Sequence, residues 1–246
     1  MKKILFILFV YLFSCSSEDA NDCFQTAGKI ITQEVDVTSF TKILVNRDIE
    51  LIIAQGAEIK VTIETGENLL NDIEAVVIDN RLELTNNNTC NYVRDYGITK
   101  VYVTAPSIND IRSSSQFDVS SQGVLNYSSI RLISEDFNED VFAVGDFRLE
   151  VNSVNVVITS NKISSFYLSG EVENLDIGFY AGDSRLEGAN LVAQNVSVFH
   201  RGSNDMIVNP QQSISGELRS TGNVIATNRP PVVEVEEFYT GRLIFD

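Results

Sequence analysis

The segment Leu175-Asp176-Ile177-Gly178-Phe179-Tyr180-Ala181-Gly182-Asp183 sets the pattern for the second half of the chain. Apolar residues alternate with polar or small ones and end at a glycine turn, and similar turns follow at Gly202 and Gly222, each 20 residues after the last. A fixed period with only strand signals in each repeat is typical of a β-solenoid, whose repeats bury their inward residues by stacking. An ordinary β-sandwich, with strands about 8 to 12 residues apart, has a similar doubled period and stays open at this point.

Alternation of apolar residues also fills the first part of the chain, and no helical stripe extends over more than two turns. It is clearest in Ile49-x-Leu51-x-Ile53, Ile59-x-Val61-x-Ile63, Leu82-x-Leu84 and Val101-x-Val103, with short turn signals between them. Such alternation in Val-rich and Ile-rich segments predicts half-buried strands. We therefore predict an all-β fold for residues 24–246, with an antiparallel β-meander over 24–105 and β-helix rungs with a C-terminal cap over 106–246.

The first residues have the layout of an export signal. Lys2 and Lys3 precede an apolar run over residues 4–13, which ends at Ser14. In a helix this run covers about 15 Å, half of a hydrocarbon core, so a permanent transmembrane helix is the poorer interpretation. The sequence predicts that residues 1–14 are a signal peptide.

The end of this signal resembles the lipobox of bacterial lipoproteins. Leu12-Phe13-Ser14-Cys15 places Leu at −3, a small residue at −1 and the cysteine that takes the lipid, although Phe13 is bulkier than usual. The expected partner is thus the membrane, through acyl chains on Cys15. The alternative is a plain secretion signal in which Cys15 has no role.

Residues 15–23 form a short acidic tether. Its serine and acidic residues resemble the signals that send lipoproteins of the Bacteroidota to the outer face of the outer membrane. We expect a lipid-anchored, surface-exposed protein of the outer membrane. The alternative is a simple spacer on a protein that faces the periplasm.

Two cysteines remain after Cys15. Cys23 and Cys90 are an even pair in an exported protein, for which a disulfide is the default expectation. Two thiols without a neighbouring histidine fall short of a zinc site, so no metal is expected.

Composition excludes several function classes. The chain has 34 acidic and 18 basic residues and a net charge of −16, which becomes −18 once Lys2 and Lys3 leave with the signal peptide. Such a chain cannot neutralise a phosphate backbone, so nucleic acid is not an expected partner. The single histidine, His200, has no recognisable nucleophile motif beside it and is interpreted as structural. No catalytic residue and no cofactor are predicted.

The chain resembles the putative auto-transporter adhesin head family, the GIN domain, over residues 28–246. The resemblance is carried by Ile49-Glu50-Leu51-Ile52-Ile53-Ala54-Gln55-Gly56, Val101-Tyr102-Val103-Thr104-Ala105-Pro106, Gly222-Asn223-Val224-Ile225 and Arg229-Pro230-Pro231-Val232. It implies a right-handed parallel β-helix of the pectin-lyase-like class and a non-catalytic adhesion or binding module. The segment 88–96 resembles a loop of Bacteroidota members whose cysteine pairs with one near the mature N-terminus, here Cys23.

The expected ligand is a glycan or a protein. Phe166-Tyr167 and Phe179-Tyr180 are adjacent aromatic pairs, so in a strand one ring of each points outward, and Tyr167 and Tyr180 are the predicted contact patch. A carbohydrate-active enzyme on a β-helix is one alternative, with the acidic cluster over residues 135–140 as its candidate site. A structural or regulatory envelope lipoprotein without an extracellular ligand is the other.

Overall fold

A computed structural model describes residues 22–88, 90–134 and 143–246. Within these ranges the regular structure is β-strand, apart from one turn of 3₁₀ helix at Leu70–Asp72. This confirms the all-β prediction. None of the helical structure in this part of the chain is long and apolar enough to cross a membrane.

The strands are short in the first half of the chain and long in the second. The short ones are β1 (Ile30–Val35), β2 (Lys42–Val45), β3 (Glu50–Gln55), β4 (Lys60–Gly66), β5 (Ile73–Ile78), β6 (Arg81–Asn86), β7 (Lys100–Ala105), β8 (Asp110–Ser113), β9 (Val119–Leu125) and β10 (Ser129–Ser134). They are followed by β11 (Phe147–Ser160), β12 (Ser165–Phe179), β13 (Arg185–His200), β14 (Met206–Leu218), β15 (Val224–Ala226), β16 (Val232–Glu237) and β17 (Leu243–Phe245).

The long strands each contribute to two faces of the molecule. The first half of β11 pairs with β9 and its second half with β10, and the halves of β14 pair separately with β15 and β16. The rings of Phe166 and Phe179, near opposite ends of β12, are nonetheless only 5.9 Å apart. The long strand β12 therefore folds back across the core, and its two halves face each other.

The first face runs through β1, β4, β7, β3, β9, the first halves of β11 to β14, β15 and β17. The second face runs through β5, β6, β2, β8, β10, the second halves of β11 to β14, and β16. One buried apolar core, made chiefly of Val, Ile, Leu and Phe, lies between them.

Neighbouring strands from β8 to β17 pair in parallel on both faces. Leu175 lies beside Val196 and Val196 beside Ile214, so residues about one repeat apart become neighbours. All three side chains are buried, and Phe147 stacks on Phe166 of the next repeat with ring centroids 4.9 Å apart. Each repeat therefore buries its inward side chains against the equivalent positions of its neighbours.

A row of amides marks the corner between the two faces. The side-chain amide of Asn174 donates to Oδ1 of Asn155 at 3.0 Å, and that of Asn195 donates to Oδ1 of Asn174 at 3.2 Å. Ser213 continues the row by donating to Asn195 at 2.8 Å. A side-chain amide both donates and accepts hydrogen bonds, so each member of the row satisfies a polar group of the next one at this partly buried corner.

The meander predicted for residues 24–105 is only partly present. The pairs β1–β4, β4–β7 and β5–β6 are antiparallel, as expected. However, β2 and β3 lie on different faces, and each pairs in parallel on both sides: β2 between β6 and β8, β3 between β7 and β9. The first repeat of the chain is thus inserted between two later ones. Turn signals report where a strand ends but not which strand it will join, which is why the sequence suggested hairpins.

Backbone crowding explains the glycines that repeat in the turns. A Cβ on Gly222 would lie 2.2 Å from the carbonyl oxygen of Asn204 and 2.4 Å from Nε2 of His200. A Cβ on Gly182 would lie 2.1 Å from the carbonyl oxygen of Lys162. At Gly202 the nearest atom would be 3.2 Å away, so that position is less crowded. The turns stack so closely on the preceding repeat that most of these positions admit no side chain.

We expect Gly222→Ala to lower the free energy of unfolding by about 1 to 3 kcal/mol, because the new methyl group overlaps backbone and a buried ring. Gly202→Ala is the matched control, since its methyl group needs only a small adjustment. Urea unfolding followed by circular dichroism measures both. Equal losses in the two variants would contradict the close stacking at Gly222.

Candidate functional site

Tyr167 lies on the outer surface of the first face, in the first half of β12. The neighbouring residues Phe166 and Leu168 point into the core, so alternation turns the Tyr167 ring outward, where it is 38% exposed. Its register neighbours are Arg148 on β11 and Glu187 on β13. The outward orientation predicted for this tyrosine agrees with its exposure.

Arg148 holds one side of the ring. Its guanidinium carbon lies 4.0 Å from the Tyr167 ring centroid, a cation–π contact. The same guanidinium donates to Asp118 at 2.8 Å and to Asp146 at 2.7 Å. The hydrogen bond that Arg148 donates to Asp118 raises the pKa of Arg148 above its ordinary value, so the group remains charged. Two carboxylates and one ring therefore fix the position of this cation.

A bulge in β13 forms a depression on the other side of Tyr167. Tyr167 pairs with Glu187 and Ser169 with Asn190, so β13 carries one more residue than β12 between these pairs. Gly188 is buried at the bulge, while Ala189 and Asn190 are exposed. Bulges of this kind redirect side chains and are frequent beside binding sites.

The depression has a volume of about 240 Å³. It is lined by Tyr167, Leu168, Ser169, Glu187, Ala189 and Asn190. This is smaller than the roughly 300 to 1,000 Å³ of sites for drug-sized molecules, so it suits one small unit of a larger ligand.

The charges around the depression are compensated within the protein. Glu187 forms an ion pair with Arg185, and Arg148 is paired with two aspartates. The groups that can contact a ligand are the edge and one face of the Tyr167 ring, the hydroxyl of Ser169 and the side-chain amide of Asn190. Such a set favours an uncharged ligand that has apolar C–H surfaces and many hydroxyl groups.

Tyr180 does not belong to this site. It follows the second half of β12, on the second face, and its ring lies 5.3 Å from that of Phe199. Its ring also covers Gly178, where a Cβ would meet it at 2.7 Å. Tyr180 is 48% exposed and does not line the depression beside Tyr167. The two tyrosines of the predicted patch thus lie on different faces.

Cys23 and Cys90 form the predicted disulfide. It joins the start of the described chain to the loop between β6 and β7. A second cavity of about 320 Å³ lies behind this loop, lined by Cys90, Arg94, Tyr96 and mostly polar neighbours. The bond therefore fixes the wall of a cavity as well as the N-terminal segment.

His200 is fully buried at the end of β13. Its Nδ1 accepts the N–H of Gly202 at 3.3 Å, and its Nε2 lies 2.9 Å from the carbonyl oxygen of Asn204, so the proton is on Nε2. Its ring also packs edge-on against Phe179. Burial lowers the pKa of His200 below 6.5, although the Asn204 carbonyl and Asp205 oppose the shift. The ring is a satisfied part of the core.

Several sequence predictions lie outside the described residues: the signal peptide over residues 1–14, the lipid attachment expected at Cys15, most of the tether over residues 15–23 and the acidic cluster over residues 135–140. In residues 22–88, 90–134 and 143–246, no group of three or more His, Cys, Asp or Glu side chains is placed to hold a metal ion.

Sequence reasoning missed the polar residues of the depression, Ser169, Glu187 and Asn190. A signal was available, because Gly188-Ala189-Asn190 interrupts the alternation between Leu186 and Leu191. An interruption alone does not show which neighbouring side chains line the resulting depression, since that depends on the register with β12.

Comparisons with known proteins place this fold in a family. Residues 39–230 match the family model described as "Putative auto-transporter adhesin, head GIN domain". A comparison with curated proteins finds no match.

Several solved structures share the fold. A putative adhesin from Bacteroides fragilis superposes with a TM-score of 0.80 at 20% identity, covering 90% of this chain and 99% of that one. A putative adhesin from Parabacteroides merdae gives 0.58 at 14% identity, covering 89% and 97%. A putative lipid binding protein from Parabacteroides distasonis gives 0.60 at 10% identity, covering 88% and 97%.

The lowered pKa of His200 makes stability depend on pH in a predictable direction. In the unfolded chain His200 takes up a proton near pH 6.5, whereas in the folded chain burial lowers the pH at which it does so. Stability is therefore complete above pH 6.5 and decreases as the pH falls toward the lowered pKa, by at most about 1.4 kcal/mol per pH unit for one proton. Urea unfolding between pH 7.5 and 5 measures this slope.

His200→Leu is the comparison, because leucine already occupies the register position in β14, at Leu218. We expect this variant to be less stable at pH 7.5, having lost two hydrogen bonds, but to show a shallower decline on acidification. A decline as steep as that of the original chain would exclude His200 as the source.

Proposed function

The chain belongs to the family of putative auto-transporter adhesin head domains, the GIN domains, and from this premise we propose that it is a non-catalytic binding module held at the cell surface by a lipid on Cys15. The proposal includes a right-handed coil for the stacked parallel strands. Parallel strands joined by crossovers are right-handed in nearly all proteins, because strand twist favours that direction.

The location in this proposal rests on the N-terminal sequence. The lipobox-like Leu12-Phe13-Ser14-Cys15 and the acidic tether over residues 15–23 support an acylated protein exported to the outer face of the outer membrane. A mature charge of −18 gives the domain as a whole little attraction for an anionic surface. In this proposal the acyl chains attach the domain to the membrane, since each CH₂ group buried in the bilayer contributes about 0.8 kcal/mol to the free energy of binding.

The ligand in this proposal is a neutral glycan, and one of its sugar units occupies the depression beside Tyr167. The observation that carries it is the combination of an exposed ring, held on one side by Arg148, with a small polar depression on the other. The C–H face of a sugar packs on an aromatic ring, while Ser169 and Asn190 can hydrogen-bond its hydroxyl groups. Glu187 can accept a further hydrogen bond while it remains paired with Arg185.

A binding role without catalysis fits this arrangement. Most glycoside hydrolases use two carboxyl groups, one on either side of the scissile bond, and the one that acts as general acid has a raised pKa. Among the residues that line the depression, Glu187 is the one carboxylate, and it is ion-paired. The site can therefore hold a sugar but does not supply an acid and a base.

The lipid anchor predicts that cells fed an alkyne-tagged fatty acid incorporate the tag into this protein. Cys15→Ser should abolish the label, because the thioether cannot form, whereas the disulfide between Cys23 and Cys90 is unaffected. Labelling that persists in Cys15→Ser would place the lipid elsewhere. Protease added to intact cells should cleave the labelled protein if it faces outward.

The glycan site predicts binding of the Cys15→Ser chain to neutral oligosaccharides on an array. Tyr167→Ala should weaken the best hit at least about tenfold, the effect of losing roughly 1.4 kcal/mol at an aromatic contact. Tyr167→Phe should retain most of the binding, because it keeps the ring.

Tyr180→Ala is the matched control, since it removes an exposed tyrosine from the other face. Equal losses in Tyr167→Ala and Tyr180→Ala, or no loss in either, would overturn the assignment of the site. Release of reducing ends from a bound glycan would overturn the non-catalytic role.

A further inference from the structure

An exposed apolar patch lies where the chain enters the fold. We call it the N-terminal patch; its members are Phe24, Tyr92, Val93 and Tyr96. Tyr92 is 73% exposed and Tyr96 is 74% exposed, and the ring of Phe24 lies 5.8 Å from that of Tyr92. The Phe24 and Tyr92 rings contact each other, and Tyr96 adds a third exposed ring in the same loop, a combination that indicates an interaction surface.

The patch is held firmly to the N-terminal segment. The Cys23–Cys90 disulfide joins the two parts covalently, and the backbone N–H of Tyr92 donates to the carbonyl of Cys23 at 2.9 Å. The guanidinium of Arg94 donates to three backbone carbonyls, those of Asp22 at 2.6 Å, Gln25 at 3.2 Å and Cys90 at 2.9 Å. Arg94 thus points inward and binds the loop to the incoming chain, while its apolar neighbours point outward.

The number of residues between Cys15 and the N-terminal patch limits how far the patch can lie from the membrane. Cys15 and Cys23 are eight residues apart, so even a fully extended chain separates them by no more than about 28 Å. The opposite end of the molecule lies eight strand spacings beyond β7, or about 38 Å at roughly 4.8 Å per spacing. A lipid on Cys15 therefore keeps the N-terminal patch within about 28 Å of the bilayer, whereas the β17 end can lie a further 38 Å or so away.

From this placement we propose that the N-terminal patch docks into the headgroup region of the bilayer that holds the anchor, an inference that rests on the lipid proposed for Cys15. Tyrosine suits this region because its ring is apolar and its hydroxyl is polar. Phe24 and Val93 add apolar area beside the rings. Together with the lipid, the patch gives the domain a second contact with the membrane.

Docking has a consequence for the orientation of the molecule. Attachment through one lipid-bearing residue lets a domain tumble, whereas that attachment plus a side-chain contact fixes which end faces outward. The strands of the first face, and with them the depression beside Tyr167, then lie at a set height above the membrane. Tyr167 lies on β12, four strand spacings from β7, which is about 19 Å along the stack.

The absence of tryptophan from the sequence allows a direct test. The acylated full-length chain is placed in vesicles of phosphatidylethanolamine and phosphatidylcholine, the latter brominated in the upper part of its acyl chains. Tyr96→Trp introduces a single reporter in the patch, and Tyr92→Trp is a second in case the first disturbs the loop. Tyr239→Trp is the matched control, because Tyr239 is 62% exposed in the turn before β17, at the opposite end.

We expect bromine to quench roughly half of the emission at positions 96 and 92, as for an aromatic ring in the interface, and to leave position 239 unchanged. Vesicle-bound protein that shows no quenching at either patch position, or equal quenching at position 239, overturns the docking. Flotation of the protein with the vesicles distinguishes a failure of docking from a failure of the lipid attachment. If the acylated fraction does not float with the vesicles, the lipid attachment fails and the docking proposal fails with it.

Discussion

Parallel hydrogen bonding between successive repeats is the constraint on which the rest of the structure depends. It places each residue beside its counterpart in the next repeat, about 4.8 Å away, so every position along the repeat becomes a column of contacts. Columns of Val, Ile and Phe form the core, and a column of three asparagine side chains, extended by the Ser213 hydroxyl, satisfies polar groups at the corner. A column of turns leaves no room for a Cβ at Gly222.

The candidate site arises where this regularity is interrupted. β13 carries additional residues between positions that are in register with its neighbours, and it accommodates them as a bulge at Gly188–Asn190. The bulge opens a depression beside a ring that regular alternation has already turned outward. A uniform stack would present a flat, evenly spaced surface with nowhere to hold a ligand unit. The irregularity therefore gives this surface a concave feature that a regular stack lacks.

The outcome for the two predicted tyrosines shows how far sequence reasoning extends. Alternation with Phe166 and Phe179 correctly indicated exposed rings, because the direction of a side chain in a strand is a local property. It could not show that Tyr167 and Tyr180 lie on different faces, because that depends on a bend within β12 near Asn174, and one asparagine inside an alternating segment does not by itself predict a bend. The Cys23–Cys90 bond was predictable for a different reason, since only two cysteines remain once Cys15 is assigned to lipid.

The sequence alone determined the all-β class, the repeat near 20 residues and the pair of cysteines that form the disulfide. These follow from alternation, spacing and count, which are properties of neighbouring residues or of composition. Only the tertiary structure decided that β2 and β3 insert between strands that follow them in the chain, and that the depression adjoins Tyr167 alone. Strand partners are chosen by burial and hydrogen bonding between segments far apart in sequence, and a local pattern carries no information about that choice.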